Sequence, residues 1–84
     1  MNNMVKLNKF VHISFGGTMH IEILVKDIRK RNKLTLVQLA ERTGISVSHI
    51  NDVENGLKEP GLSVLVRLAR ALDVPITELY RVIW

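Results

Sequence analysis

The sequence predicts an all-α fold: one compact bundle of five short helices preceded by a short N-terminal extension. Apolar residues recur at spacings of three and four from about residue 21 onward, which is the period of a helix that buries one face. Helix-capping residues, Gly and Pro interrupt this pattern at short intervals. The chain has 84 residues, of which 46% are hydrophobic, so it can form one core but not two.

The first two helices are predicted from an apolar face and a capping signal. Leu24 and Ile28 share a helical face, so the first helix is expected to run from about residue 21 to Asn32. Thr35 and Gln38 have the spacing of a capping box, in which each side chain bonds the backbone N–H of the other residue. The second helix should therefore begin at residue 36 and end near residue 42.

Three more helices follow from the same kinds of signal. Ser46 can cap a third helix that reaches Glu54 before an Asn-Gly pair. A fourth helix follows a Pro-Gly pair, and its apolar positions are Leu62, Leu65, Leu68, Ala69 and Leu72. After Pro75, a fifth helix is predicted from the apolar positions Ile76, Leu79, Tyr80 and Ile83.

Residues 1–18 differ in character from the rest of the chain. They contain no Asp or Glu, and Val11, Ile13 and Phe15 alternate with polar residues before a Gly-Gly pair. This is a weak strand pattern that ends in a turn. Three interpretations stay open: a short strand, an arm, or sequence upstream of a second start at Met19. The globular domain is expected to span residues 19–84.

The net charge of +4 is unevenly distributed. Residues 1–34 hold seven Lys or Arg against two acidic residues, whereas residues 35–66 hold two against four. A small size and a basic charge are typical of proteins that bind a polyanion, such as nucleic acid. An ordinary solvated surface explains the same charge about equally well.

The composition excludes several functional classes. The chain lacks Cys, which removes disulfides and thiolate metal sites, and it lacks an apolar run long enough to span a bilayer. His12, His20 and His49 do not have the spacing of a metal site, and no nucleophile signature or glycine-rich phosphate loop is present. We therefore expect a soluble, cytoplasmic protein without enzymatic activity, cofactor, metal or membrane partner.

The second and third helices are joined by only Thr43, Gly44 and Ile45. So short a connection lets two helices cross steeply if one residue adopts a positive φ, which Gly44 does at little steric cost. The small side chain of Ala40 permits the close contact, and the shared core is expected to take Leu39, Ile45, Ile50 and Val53. The arrangement is a helix-turn-helix, whose later helix can enter a DNA major groove.

With these residues the chain resembles the Xre-like helix-turn-helix transcriptional regulators, the family that includes the phage lambda repressor and Cro. The resemblance implies a five-helix, lambda-repressor-like DNA-binding domain that acts as a homodimer on a pseudo-palindromic operator. Each matching stretch is weak alone, but their order and spacing are specific. They are Ile28-Arg29-Lys30-Arg31, Leu34-Thr35, Leu39-Ala40, Thr43-Gly44-Ile45-Ser46, Ile50, Glu54-Asn55-Gly56, Pro60, Leu68-Ala69-Arg70-Ala71-Leu72, Val74-Pro75 and Glu78-Leu79.

The resemblance also implies where DNA is contacted: the start of the second helix, the outward face of the third and the loop after it. Leu36 stands where many members have a glutamine, and Val47 and Asp52 stand where Gln, Arg or Lys is more common. Asp52 can accept from cytosine, or it indicates that this face binds something other than DNA. The implied contact residues are Thr35, Leu36, Ser46, Val47, Ser48, His49, Asn51, Asp52, Asn55 and Lys58.

Two further features carry expectations about architecture. Arg29 and Glu54 match family positions that form an ion pair between the first and third helices, and such a pair would be structural. The fifth helix has a broad apolar stripe that either closes the core or forms a dimer interface, and we favour the interface. That stripe consists of Ile76, Leu79, Tyr80, Ile83 and Trp84.

The sequence therefore predicts a transcriptional regulator of the repressor type that binds double-stranded DNA in a sequence-specific manner as a homodimer. The alternative is a protein-interaction module with the same fold, such as a partner-binding antitoxin or a regulator antagonist, that does not bind DNA on its own. The acidic segment 35–66, Val47 and Asp52 motivate this alternative.

Overall fold

The computed structural model describes the backbone of residues 11–14 and the whole of residues 19–84. Four helices follow two strands, and a third strand comes after them. In chain order the elements are β1 (Val11–Ser14), β2 (His20–Ile23), α1 (Val25–Arg31), α2 (Leu36–Thr43), α3 (Val47–Glu54), α4 (Leu62–Leu72), a 3-10 turn (Ile76–Glu78) and β3 (Tyr80–Ile83).

The predicted start of α2 is confirmed, and its capping box is complete. The Gln38 backbone N–H donates to Thr35 Oγ1 at 3.0 Å, and the Thr35 backbone N–H donates to Gln38 Oε1 at 2.9 Å. Ser46 caps α3 by accepting from the His49 backbone N–H at 3.1 Å. These short-range bonds satisfy backbone donors that a helix start leaves without intrahelical partners.

The helices and the sheet bury one shared core. All four helices contribute to it, together with β2 and the segment that precedes β3. The largest side chains that are completely buried are Leu39, Ile50, Leu68, Leu79, Val25 and Val53. Among the described residues, no helix is long and apolar enough to cross a bilayer.

The prediction of an all-α, five-helix fold is wrong at the C-terminal end, where a 3-10 turn and β3 replace the fifth helix. The apolar residues there fit a helical period, but Tyr80 and Val82 also fit strand alternation. A helix of about nine residues is only marginally stable alone, whereas a strand is stabilised by backbone hydrogen bonds to a neighbouring strand. The strand β2 pairs with β3 in this way, and Arg81 Nε also donates to Glu22 Oε1 at 2.7 Å across the two strands.

The first helix also begins later than predicted, because residues 20–23 form β2 instead of a helical turn. β2 is the central strand of an antiparallel sheet with the order β1-β2-β3. Val11 lies opposite Ile23 in one pairing, and Tyr80 lies opposite Ile23 in the other. The strand pattern of the extension is thus present over Val11–Ser14, while the Gly-Gly turn expected after it lies outside the described residues. The domain boundary at residues 18 and 19 stays a prediction.

The connection between α2 and α3 is held by local hydrogen bonds. Gly44 has a φ of 74°, and its N–H donates to the Ala40 carbonyl at 2.9 Å. The Thr43 hydroxyl donates to the Leu39 carbonyl at 2.8 Å and accepts from the Ile45 N–H at 3.2 Å. A left-handed glycine and one threonine therefore set the angle at which α3 leaves α2.

A buried ion pair joins α1 to α3. Arg29 Nε donates to Glu54 Oε2 at 2.7 Å and Arg29 Nη2 donates to Glu54 Oε1 at 3.0 Å, while Nη1 donates to the Leu34 carbonyl at 2.9 Å. The two side chains are 9% and 2% exposed. Such a bidentate contact is directional, and either charge left without the other would be buried and uncompensated.

We predict that Glu54→Ala lowers the free energy of unfolding by about 3–5 kcal/mol, because it leaves the Arg29 guanidinium buried without its carboxylate. Urea denaturation followed by circular dichroism measures this loss. Glu59→Ala removes an exposed carboxylate as a matched control and should change stability little. Equal midpoints for both variants would contradict a structural role for the pair.

We also predict that Gly44→Ala destabilises the fold by about 1–2 kcal/mol, the cost of a left-handed conformation for an L-residue. No atom lies within 4 Å of the Cβ that the substitution adds, so the cost is conformational and not steric. Gly44→Asn should lose less, because Asn tolerates this conformation better. The ranking Gly, Asn, Ala in urea midpoints tests the prediction, and a midpoint for Ala at or above that of Asn would refute it.

Candidate nucleic-acid interface

The outward face of α3 is the centre of the candidate interface. Its inner face carries Ile50, Val53 and Glu54, all of them buried. Because helical neighbours recur at three and four, the opposite face is turned to solvent. Val47, in the first turn of α3, lies at the margin of that face and is 38% exposed. Ser46, Ser48 and Asn51 are exposed as well, whereas His49 is half-buried at the side of the helix.

The start of α2 contributes less than the resemblance implies. Thr35 is exposed and its side chain is engaged in the capping box. Leu36, by contrast, is half-buried and packs against the core. Leu36 therefore serves the interior at least as much as the surface. The exposed side chain beside it is Val37, which is 55% exposed.

The segment after α3 folds back on the end of the helix. The Leu57 N–H donates to the Asp52 carbonyl at 2.8 Å, and Lys58 Nζ lies 3.8 Å from Asp52 Oδ2. The Asn55 side-chain amide donates to Asn51 Oδ1 at 3.1 Å. The Asp52 carboxylate is thus half-buried beside a lysine, which offsets the negative charge that the sequence places on this face.

A cleft of about 330 Å³ beside the α2–α3 turn carries basic residues that the sequence analysis did not single out. Arg42 of α2 and Arg67 and Arg70 of α4 line it, together with Thr43 of the turn. All three arginines are exposed. The i, i+3 spacing of Arg67 and Arg70 indicates that they share one face of α4. Their proximity to Arg42, by contrast, depends on how α4 packs against α2.

The apolar stripe that was predicted to form a helical dimer interface consists of buried and exposed residues in the structure. Leu79 is completely buried in the core, and Ile76 and Tyr80 are half-buried against it. Ile83 and Trp84 are 37% and 82% exposed. The prediction of an interface on a fifth helix is therefore wrong in its geometry, because no single helical face carries these five residues.

The structure shows how histidines and acids are distributed over residues 19–84. Within that range, no group of three or more His, Asp or Glu side chains could hold a metal ion. His20 lies on β2 and His49 on α3, so they belong to different elements. For His12, only the backbone of β1 is described.

Comparison with known proteins agrees with this geometry. The helix-turn-helix family model matches residues 25–79. The immunity repressor protein of Bacillus phage phi105 is 43% identical over 53 residues, which are 63% of this chain and 37% of that protein. The uncharacterized HTH-type transcriptional regulator y4dL of Sinorhizobium fredii is 42% identical over 59 residues, which are 70% of this chain and 30% of that protein. The chain thus spans about a third of these relatives.

Two solved structures are similar in fold. The restriction-modification controller protein C.AhdI from Aeromonas hydrophila matches with a TM-score of 0.64 and 31% identity, over 66% of this chain and 83% of that one. The clp gene regulator ClgR from C. glutamicum matches with a TM-score of 0.63 and 25% identity, over 66% and 71%. With the family model covering the chain from α1 to the residue before β3, the chain belongs to the Xre-like helix-turn-helix family.

Proposed function

We propose that this protein is a transcriptional regulator of the repressor type that binds double-stranded DNA in the cytoplasm as a homodimer on a pseudo-palindromic site. The observation that carries the proposal is the outward face of α3, which a three-residue turn holds away from the core. Such a face suits a major groove, which is wide enough to admit one helix. The phage immunity repressor and the controller protein named above are regulators, which supports the same function.

Two kinds of group are proposed to contact phosphates: backbone N–H groups at helix N-termini and basic side chains. The N-termini of α2 and α3 carry N–H groups and a partial positive charge, which favour anions. Arg42, Arg67 and Arg70 add positive charge beside the turn, and Lys58 adds one after α3. Arg67 and Arg70 lie outside residues 35–66 and balance the excess of two acidic residues in that segment. The proposed contact set is completed, with Leu36 at its inner margin, by Thr35, Ser46, Val47, Ser48, His49, Asn51, Asp52 and Asn55.

A second candidate function is a protein-interaction module that uses the same helices without binding DNA. The observation in its favour is the exposure of two apolar side chains on α2 and α3, Val37 and Val47. Apolar surface of this kind suits a protein partner as well as a thymine methyl group. A direct DNA-binding measurement separates the two functions.

We predict that the protein retards random-sequence duplex DNA in a mobility-shift titration at low salt, with an affinity that falls as salt rises. The expected slope of log affinity against log salt reflects the number of phosphates neutralised. Selection of duplexes from a random pool then identifies the preferred site, which should have two-fold symmetry. A protein-interaction module would give no retardation at any salt concentration, and that result would reject the DNA-binding proposal.

Two substitutions in the interface should have different effects. Val47, near the N-terminal end of α3, can contact only apolar surface in the groove, so Val47→Ala should weaken the preference for thymine at one position per half-site. Lys58 is proposed to contact phosphate, so Lys58→Ala should weaken all sequences alike and reduce the salt slope by about one unit. Site selection and salt titration measure these two effects.

Matched controls are available on other surfaces. Val66→Ala truncates an exposed valine on α4, and Lys26→Ala removes an exposed lysine on α1. Neither control should alter the ranking of selected sites. If Val47→Ala leaves the ranking unchanged while Lys58→Ala reorders it, the placement of α3 in the groove is wrong.

A further inference from the structure

The six arginines of the chain fall into two groups according to their partners. Three form an ion pair with a carboxylate, and these are Arg29, Arg31 and Arg81. The other three form neither an ion pair nor a side-chain hydrogen bond with any described residue, and these are Arg42, Arg67 and Arg70. All eight acidic residues of the chain lie within residues 19–84, so the masking of the N-terminal segment hides no carboxylate partner.

The three arginines without a carboxylate partner are the ones that line the cleft beside the α2–α3 turn. Within residues 19–84 the rest of its lining is Thr43 and Ala71, so the lining contains no acidic residue. Glu41 precedes Arg42 in the sequence but does not line the cleft, and Asp73 lines a separate groove. Three positive charges thus surround one space of about 330 Å³. Like charges repel each other, and a bound anion would relieve this repulsion.

The helix dipole accounts for two of these arginines taken singly. Arg42 and Arg70 lie in the last turns of α2 and α4, where a positive side chain is favoured. This effect falls off within the last turn, so it does not explain Arg67 in the middle of α4. It also does not explain why arginines of two different helices line the same cleft. An anionic ligand accounts for all three.

The side chains of the cleft indicate the class of anion. A guanidinium has a planar fork of N–H donors that fits the oxygens of a phosphate or carboxylate group. The Thr43 hydroxyl is already bonded to the Leu39 carbonyl and the Ile45 N–H, so the arginines are the side-chain donors left for a ligand. Three guanidiniums suit several negative charges on few atoms, which linked phosphate groups provide. The volume is at the low end of the range of ligand pockets, ~300–1,000 Å³, and suits a small anion.

We propose that this cleft binds a compact anion of two or three linked phosphate groups, either an inorganic polyphosphate or the phosphate groups of a nucleotide. Arg42 contacts the anion from α2, and Arg67 and Arg70 contact it from α4. The anion therefore bridges two helices beside the turn that orients α3. Binding of this kind needs neither DNA nor a second copy of the chain, so it goes beyond the proposed function.

A bound anion would also change the affinity for DNA. The same three arginines supply part of the positive charge that is proposed to attract DNA phosphates, and the anion neutralises that charge. The effect is reciprocal, because each ligand lowers the affinity for the other by the same factor. The protein would then release DNA when the anion is abundant. This regulatory consequence, unlike the binding of the anion, rests on the proposed function.

Calorimetric titration of the full chain with inorganic pyrophosphate tests the site without DNA. Constant ionic strength keeps general screening unchanged, so that saturation reports a site. We expect one pyrophosphate per chain, and a urea midpoint that rises with pyrophosphate concentration because the ligand stabilises the folded state. A parallel titration with ADP distinguishes the sources, since tighter binding of ADP assigns the site to a nucleotide. The proposal fails if neither compound saturates, or if citrate, a compact tricarboxylate, binds more tightly than both.

Substitutions locate the bound anion. Arg42→Gln and Arg67→Gln each remove one guanidinium, and each should raise the pyrophosphate dissociation constant about tenfold, as expected for the loss of a charged hydrogen bond. Arg31→Gln lowers the net charge equally but removes an exposed arginine outside the cleft, so it should leave the constant unchanged. Circular dichroism verifies folding, and Arg67→Gln decides if Arg42→Gln does not fold. Equal weakening by Arg31→Gln and Arg67→Gln would show non-specific attraction by charge and refute the site.

Mobility-shift titrations at fixed ionic strength separate this site from the proposed function. Saturating pyrophosphate should weaken DNA binding by the wild type and weaken it less in Arg67→Gln. DNA affinity that does not respond to pyrophosphate would refute the regulatory consequence. Binding of a polyglutamate peptide, without binding of pyrophosphate or ADP, would assign the cleft to a protein partner and refute the proposal. Saturable binding of pyrophosphate by a protein that never retards DNA would instead reject the proposed function alone.

Discussion

The buried contact between Arg29 and Glu54 is the constraint on which the geometry of the candidate interface depends. The arginine bonds both carboxylate oxygens of Glu54 and also the Leu34 carbonyl just before α2. One side chain thus joins α1, the start of α2 and the end of α3. Because a guanidinium buried without its carboxylate is costly, α3 cannot rotate or slide against α1 without losing this contact. The exposed face of α3 therefore has one orientation relative to the core.

Short-range signals explain what the sequence predicted well. The capping box of Thr35 and Gln38, the Ser46 cap and the left-handed Gly44 each depend on residues within four positions of one another. Their outcome is decided locally, so α2, α3 and the turn between them follow from the sequence. The C-terminal segment is different, because its apolar spacing fits both a helix and a strand. β2 decides between them through contacts across 59 residues, such as the bond between Arg81 and Glu22.

For the candidate interface, too, the sequence predicts only what short-range signals determine. The sequence, by resemblance, identifies the outward positions of α3, and all of them are exposed in the structure except the half-buried His49 and Asp52. It does not indicate that Leu36 packs inward, that Asp52 lies beside Lys58, or that Arg42 lines the same cleft as two arginines of α4. Each of these features joins side chains from different elements or from a loop that folds back. Local propensity and spacing carry no information about such contacts, which arise only when the elements pack.

The strand that replaces the fifth helix is also connected to α3 through ordered contacts. β3 is bonded to β2, β2 leads through Leu24 directly into α1, and α1 is joined to α3 by Arg29 and Glu54. Each step is a hydrogen-bonded or buried contact, so no flexible linker separates the outer edge of β3 from α3. Half-sites of a two-fold operator are read one helical turn apart, about 34 Å, which demands a fixed separation of the two reading helices. The sheet therefore holds α3 in a fixed position through rigid elements, which is what the reading of such half-sites by the proposed homodimer requires.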